Sequence, residues 1–91
     1  MNKTELITAV TNESNLKKND VQTIIDNFLN IIIAEVADGE KVQITGFGSF
    51  ERKDRGERIV KNPRTGEDIT VPPSKVPSFI AGSVFKEKVN K

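Results

Sequence analysis

Residues 52–76 read R-K-D-R-G-E-R-I-V-K-N-P-R-T-G-E-D-I-T-V-P-P-S-K-V. Six cations crowd the first half, Arg52, Lys53, Arg55, Arg58, Lys61 and Arg64, opposed only by Asp54 and Glu57. At the centre, Asn62-Pro63-Arg64-Thr65-Gly66 carries the chemistry of a tight turn. Pro63 presets φ, the Asn62 side chain can accept from the backbone two residues on, and Gly66 tolerates positive φ. Beyond the turn, Ile69 and Val71 alternate with Asp68 and Thr70, the period of a strand. Two extended segments around a turn make a hairpin. This one has too few large apolar residues for a core and too many cations for an ordinary loop, so it reads as an arm reaching toward a polyanion.

The rest of the chain supplies a base for that arm. Asn2 is the expected N-cap of a first helix, with Glu5 three residues on as its capping-box partner. Leu6, Ile7 and Val10 supply an apolar face, and the polar cluster at residues 11–15 ends the helix. Residues 16–38 form the longest regular segment. In it Val21, Ile24, Ile25, Phe28, Leu29, Ile32 and Val36 recur at spacings of three and four, and Ile31 and Ile33 widen the apolar face. A helix apolar over so much of its circumference needs cover on more than one side. Gly39 is placed to end it in the left-handed conformation.

Strand alternation follows at residues 41–44, with a turn at Thr45-Gly46 and a second strand from Phe47-Gly48-Ser49-Phe50-Glu51 running into the arm. Pro72-Pro73 breaks the returning strand, since proline donates nothing to a ladder. Val76-Pro77-Ser78-Phe79 rejoins the sheet, and a short helix opens at Ala81-Gly82-Ser83. Its Val84, Phe85 and Val89 are expected to face inward and Lys86, Lys88 and Lys91 outward. The expected fold class is α+β: two N-terminal helices, a three-stranded antiparallel sheet carrying a long β-hairpin arm, and a short C-terminal helix. Residues 1–91 read as one domain, with residues 1–40 as the helical base and residues 52–76 as the arm.

Composition bounds the function. The net charge of +1 conceals a segregation: residues 1–40 carry three Lys against seven Asp or Glu, whereas residues 41–64 carry seven Lys or Arg against three acids. Such asymmetry favours a polyanionic partner. The chain has no Cys and no His, which removes disulfides, thiolate or imidazole metal ligands and the usual catalytic bases and nucleophiles. No apolar run approaches the roughly 18 residues of a membrane span, and no signal-peptide stretch is apparent. The expectation is therefore an intracellular, cytoplasmic binding protein without cofactor, metal, membrane or small-molecule substrate. Gly46-Phe47-Gly48-Ser49-Phe50 lacks the Lys-Ser/Thr pair and following helix of a phosphate loop, and is better read as a tight hairpin. With some twenty residues in an arm, the core is small, and a core of that size rarely supplies more than about 3–5 kcal/mol. With no staple available, a dimer is expected.

The segments M-N-K-T-E-L-I at the start, G-F-G-S-F at 46–50, N-P-R-T-G at 62–66 and S-K-V-P-S-F at 74–79 resemble the bacterial HU/IHF family of histone-like architectural proteins. The likeness runs the length of the chain. It implies an intertwined homodimer whose helices form a base and whose two arms embrace double-stranded DNA, preferring bent, nicked or flexible sites, in the nucleoid. It implies that Pro63 intercalates as an apolar wedge, a mode described for this group of minor-groove binders. Arg55, Arg58 and Lys61, with Arg52, Lys53, Asn62 and Arg64, would contact groove and backbone, and Lys3, Lys75 and Lys86 would meet phosphates on the body and flanks. Val21, Ile25, Phe28, Leu29, Ile32, Phe47, Phe50 and Phe79 would line the dimer interface. An IHF-like, site-specific subunit of a heterodimer is the neighbouring reading. The chain departs from the family pattern at Lys17, where a Ser or Thr cap is common, at Lys61, often Arg, and at Ile80 and Ser83, often Lys. Fewer flank cations place more of the binding on the arms.

Overall fold

The computed structural model describes residues 1–90, so Lys91, expected on the outer face of the last helix, lies outside the described residues. In chain order it contains α1 (Lys3–Ser14), α2 (Lys18–Ala37), β1 (Val42–Ile44), β2 (Gly48–Arg55), β3 (Arg58–Lys61), β4 (Asp68–Val71), β5 (Ser74–Ala81) and α3 (Ser83–Val89). This is the expected α+β order. The chain divides into two compact units, Met1–Ala34 and the remainder from Glu35 on.

In the first unit, α1 begins where Asn2 Oδ1 accepts the Glu5 N–H at 2.9 Å, the expected cap. The helix extends to Ser14, further than the polar cluster suggested. Thr11 Oγ1 donates back to the Ile7 carbonyl at 2.7 Å, which satisfies the hydroxyl inside the last turn, and Asn15 closes the helix at φ 57°. Only Ile7 of the α1 apolar face is buried, while Leu6 and Val10 stay exposed. Lys17 precedes α2 and offers its carbonyl to the Val21 N–H at 3.0 Å, and Asp20 in the first turn complements the helix dipole. Lys3 Nζ and Asp26 Oδ1, 2.6 Å apart, tie α1 to α2.

In the second unit, α2 ends as Gly39 predicted. Gly39 takes φ 87°, its N–H donates to the Val36 carbonyl at 3.0 Å, and Glu40 N–H donates to the Glu35 carbonyl at 2.9 Å. These two bonds make a Schellman ending, which satisfies carbonyls the helix leaves without partners. The sheet that follows has the order β1-β2-β5 and is antiparallel throughout. The β1–β2 turn is set by Gly46 at φ 84°, with Phe47 N–H donating to the Ile44 carbonyl at 3.0 Å. The same turn receives the start of α3, because Gly82 N–H donates to the Phe47 carbonyl and Phe85 N–H to the Gly46 carbonyl.

Phe47, Phe50, Phe79 and Phe85 form one tilted aromatic cluster, with ring centroids 4.9–6.4 Å apart for the contacting pairs. The inward face expected for α3 is not buried: Val84, Phe85 and Val89 all remain exposed, and only the Phe85 ring joins the cluster. Across the described residues, the buried apolar side chains are Ile7, Val21, Ile32 and Val36. That is a thin core for a chain of this length.

Candidate nucleic-acid interface

The arm is a single in-register antiparallel ribbon with one interruption. β2 pairs with β5 from Gly48↔Ala81 to Arg55↔Ser74, and β3 pairs with β4 from Arg58↔Val71 to Lys61↔Asp68. β1 covers β2 only as far as Phe50, so the ribbon is two-stranded from Glu51 outward. Between the two ladders, Gly56-Glu57 faces Pro72-Pro73 without strand pairing. Neither proline has an N–H to give, so the ladder stops there and resumes in unchanged register. The break expected at Pro72-Pro73 thus falls between β4 and β5, and it divides the opposing strand into β2 and β3 as well.

The tip takes the turn that its residues dictate. Asn62 Oδ1 accepts the Arg64 N–H at 2.9 Å, Gly66 N–H donates to the Asn62 carbonyl at 2.8 Å, and Asn62 N–H donates to the Glu67 carbonyl at 2.8 Å. Gly66 sits at φ 75°, where a side chain would be strained. These bonds engage the backbone groups and the side-chain oxygen of Asn62, which is half-buried, and leave Pro63 exposed at the apex.

Strand alternation sorts the cations by face, because directly opposed residues of an antiparallel pair project from the same side. Lys53 and Arg55 share one face with Val76 and Ser74, whereas Arg52 and Asp54 share the other with Pro77 and Lys75. On the outer ribbon, Lys61 stands opposite Asp68, which offsets its charge, and Arg58 stands opposite Val71. Lys53, Arg55, Arg58, Lys61, Arg64, Lys75 and Lys86 are exposed and make no ion pair among the described residues. Ile59, Val60 and Ile69 are exposed along the same ribbon.

Two expected contact residues are engaged inside the chain. Lys3 is held by Asp26. Arg52 is the more committed: Nε lies 2.9 Å from Asp54 Oδ1, Nη2 donates to Asp54 Oδ2 at 3.3 Å, and Nη1 donates to the Ala37 carbonyl at 3.0 Å. The sequence reading missed this role because nothing local to residue 52 announces a helix end fifteen residues upstream.

The residues expected at a dimer interface fall into three groups. Val21 and Ile32 are buried within the chain itself and form part of its own core. Ile25 and Phe50 are half-buried, while Phe28, Leu29, Phe47 and Phe79 are exposed, with Phe28 at 50% and Phe47 at 44%.

The family model of the bacterial DNA-binding protein family matches residues 1–90. The chain belongs to that family. It is 45% identical over 89 residues to DNA-binding protein HU 1 of Bacillus subtilis (strain 168), covering 98% of this chain and 97% of the relative. Among solved structures, the Anabaena HU–DNA cocrystal structure superposes with a TM-score of 0.87 at 42% identity, covering 98% of this chain and 97% of that one. HU from Thermotoga maritima superposes with a TM-score of 0.71 at 40% identity, covering 98% of each. The resemblance read from Gly-Phe-Gly-Ser-Phe and Asn-Pro-Arg-Thr-Gly is thus established along the chain, and with it an α+β DNA-binding protein of the histone-like HU type rather than an enzyme.

Proposed function

We propose that the chain is a nonspecific architectural protein that bends, wraps and compacts double-stranded DNA as a homodimer. Each protomer contributes one arm that follows the minor groove. The carrying observation is the ribbon itself: an in-register hairpin with unpaired, exposed cations along it and an exposed proline at its apex. That the Anabaena relative was crystallised with DNA supports the reading.

The physical roles follow from the residues. Lys53, Arg55, Arg58, Lys61, Arg64 and Lys75 neutralise phosphates, which supplies most of the affinity and makes it salt-dependent. The exposed apex lets Pro63 enter a base step, and unstacking that step kinks the duplex. Lys86 extends the cationic track on α3, and Asn62, bonded into the turn, shapes the tip instead of reading bases. A bound duplex that is already nicked or flexible costs less to deform, so selectivity is for deformability. No helix among the described residues is long and apolar enough to cross a membrane. DNA binding of this kind belongs in the nucleoid.

The second copy is supported by the exposed rings of Phe28, Phe47 and Phe79 together with the thin single-chain core. Large exposed apolar surfaces of this kind mark interfaces. Gel shifts of intact and nicked duplexes across a salt series test the proposal, with steep salt dependence and tighter binding to nicked DNA expected. Equal, salt-insensitive binding to both would refute it. Selection from random DNA distinguishes the IHF-like reading, since a sharp consensus would replace nonspecific bending by site recognition.

A further inference from the structure

Among the described residues, Arg52 is the one arm cation whose guanidinium is spent entirely within the protein, on Ala37 and Asp54. Its side chain is 23% exposed, against 61% for Asp54. The place it occupies has an electrostatic need. The last turn of α2 contains no basic residue, and the surrounding sequence supplies Glu35, Asp38 and Glu40 instead. A helix C-terminus carries about half a negative charge and is stabilised by a cation. Here the cation arrives from β2, and its planar fork serves two partners at once. Nη1 meets the Ala37 carbonyl while Nε and Nη2 hold both oxygens of Asp54, a geometry open to guanidinium and not to ammonium.

The clasp also sits where the ribbon loses its third strand. β1 stops opposite Phe50, and Arg52 lies two residues further along β2. A two-stranded ribbon is marginally stable in water and has no sheet neighbour to set its direction. Gly39 packs under the guanidinium, where an added Cβ would lie 3.3 Å from Nη2. The end of α2, the Gly39 turn and the root of the arm therefore converge on one side chain.

We infer that Arg52 is a positioning residue: with Asp54 and the Ala37 carbonyl it fixes the direction in which the arm leaves the sheet, and it does not itself neutralise a phosphate. The inference rests on the proposal that the arm binds DNA. Pre-organisation of this kind improves binding by removing an ordering cost.

The sign of one substitution separates the possibilities. Asp54→Ala removes an anion from a DNA-binding arm. If Arg52 contacted phosphate, freeing it in this way would tighten binding. If Arg52 positions the arm, the same change loosens the root and weakens binding by roughly three- to tenfold despite the more favourable charge. Arg52→Met is expected to cause a similar loss with an unchanged slope of log K against log[salt], since no phosphate contact is removed. The double variant should lose no more than either single variant, because both break the same clasp. Arg52→Lys, which keeps the charge but not the fork, should fail to restore affinity.

The measurements are gel shifts and end-to-end energy transfer on a nicked duplex, with circular dichroism to confirm folding. A tighter-binding Asp54→Ala variant, or a salt slope lowered by about 0.9 per protomer in Arg52→Met, would overturn the inference. So would a loss of thermal stability with unaltered DNA affinity and bending. If Arg52→Met does not fold, Asp54→Ala alone, at a mostly exposed position, still decides the sign. Failure of the unmodified protein to bind DNA at all would remove the proposed function instead, so the two failures are distinguishable.

Discussion

Gly48 offers a direct test of how the sheet and aromatic cluster depend on close backbone approach. It is buried, pairs with Ala81 across the β2–β5 ladder, and has an ordinary negative φ, so alanine is not excluded by backbone strain. The obstacle is space. A Cβ built there would lie 2.6 Å from the Ile80 carbonyl oxygen and 2.6 Å from both Cε1 and Cζ of Phe79. Ordinary carbon contacts begin near 3.4 Å, so the ring and the β5 backbone must both retreat by nearly 1 Å. The Phe79 ring cannot move alone, because it lies 4.9 Å from Phe50, 5.4 Å from Phe47 and 6.1 Å from Phe85 by ring centroid. Overpacking of this kind costs about 1–3 kcal/mol, offset by about 0.4–1 kcal/mol from the stiffer unfolded chain. The expected net loss for Gly48→Ala is about 1–2 kcal/mol, equivalent to roughly 5–15 °C in Tm for a domain of this size. Urea and thermal unfolding should be compared at one fixed protein concentration, because association shifts apparent stability. Gly56→Ala is the control. A Cβ there meets nothing within 4 Å, and its φ is not positive, so stability should hold or rise slightly. A Gly48→Ala variant within about 0.5 kcal/mol of the parent, the scatter of surface changes, would refute the packing argument.

Three other outcomes bear on function. Pro63→Ala should reduce bending and weaken binding to intact duplex more than to nicked duplex, by the few kcal/mol that unstacking a base step requires; equal losses on both would contradict a wedge. Replacing Arg55, Arg58 and Lys61 together by Gln should flatten the salt dependence, by up to about 0.9 in slope for each phosphate no longer neutralised. Unchanged slope and affinity would show that these cations do not meet DNA. Phe28→Ala should weaken self-association while leaving the isolated chain's helices intact, because the ring is half exposed in one chain. Burial of that ring by a partner implies a loss of about 3–5 kcal/mol. Sedimentation equilibrium showing a stable monomer for the unmodified protein would defeat the dimer.

Local chemistry was legible where one residue type has one cheap solution. Asn2 capped α1, Gly39 ended α2, and Asn62 with Gly66 closed the arm tip, all as their types require. Burial was less legible. Leu6, Val10, Val84 and Val89 satisfy helical periodicity yet stay exposed in one chain, because periodicity marks a face without saying what covers it. The arm cations illustrate the same division. Seven of the cations expected at the DNA surface are exposed and free of ion pairs among the described residues, whereas Lys3 and Arg52 are held by acids remote or adjacent in sequence.

Residue type and short-range spacing were enough for the order of elements, the hairpin with its turn and the segregation of charge, while the family came from the likeness of four segments to known proteins. Three other facts needed the folded chain: the register is kept across the proline break, Gly48 leaves the space that the Phe79 ring fills, and Arg52 closes the end of α2. Each of them joins residues from separate elements in space. Charge and periodicity identify what a side chain is suited to meet, but the fold alone determines which partner reaches it first.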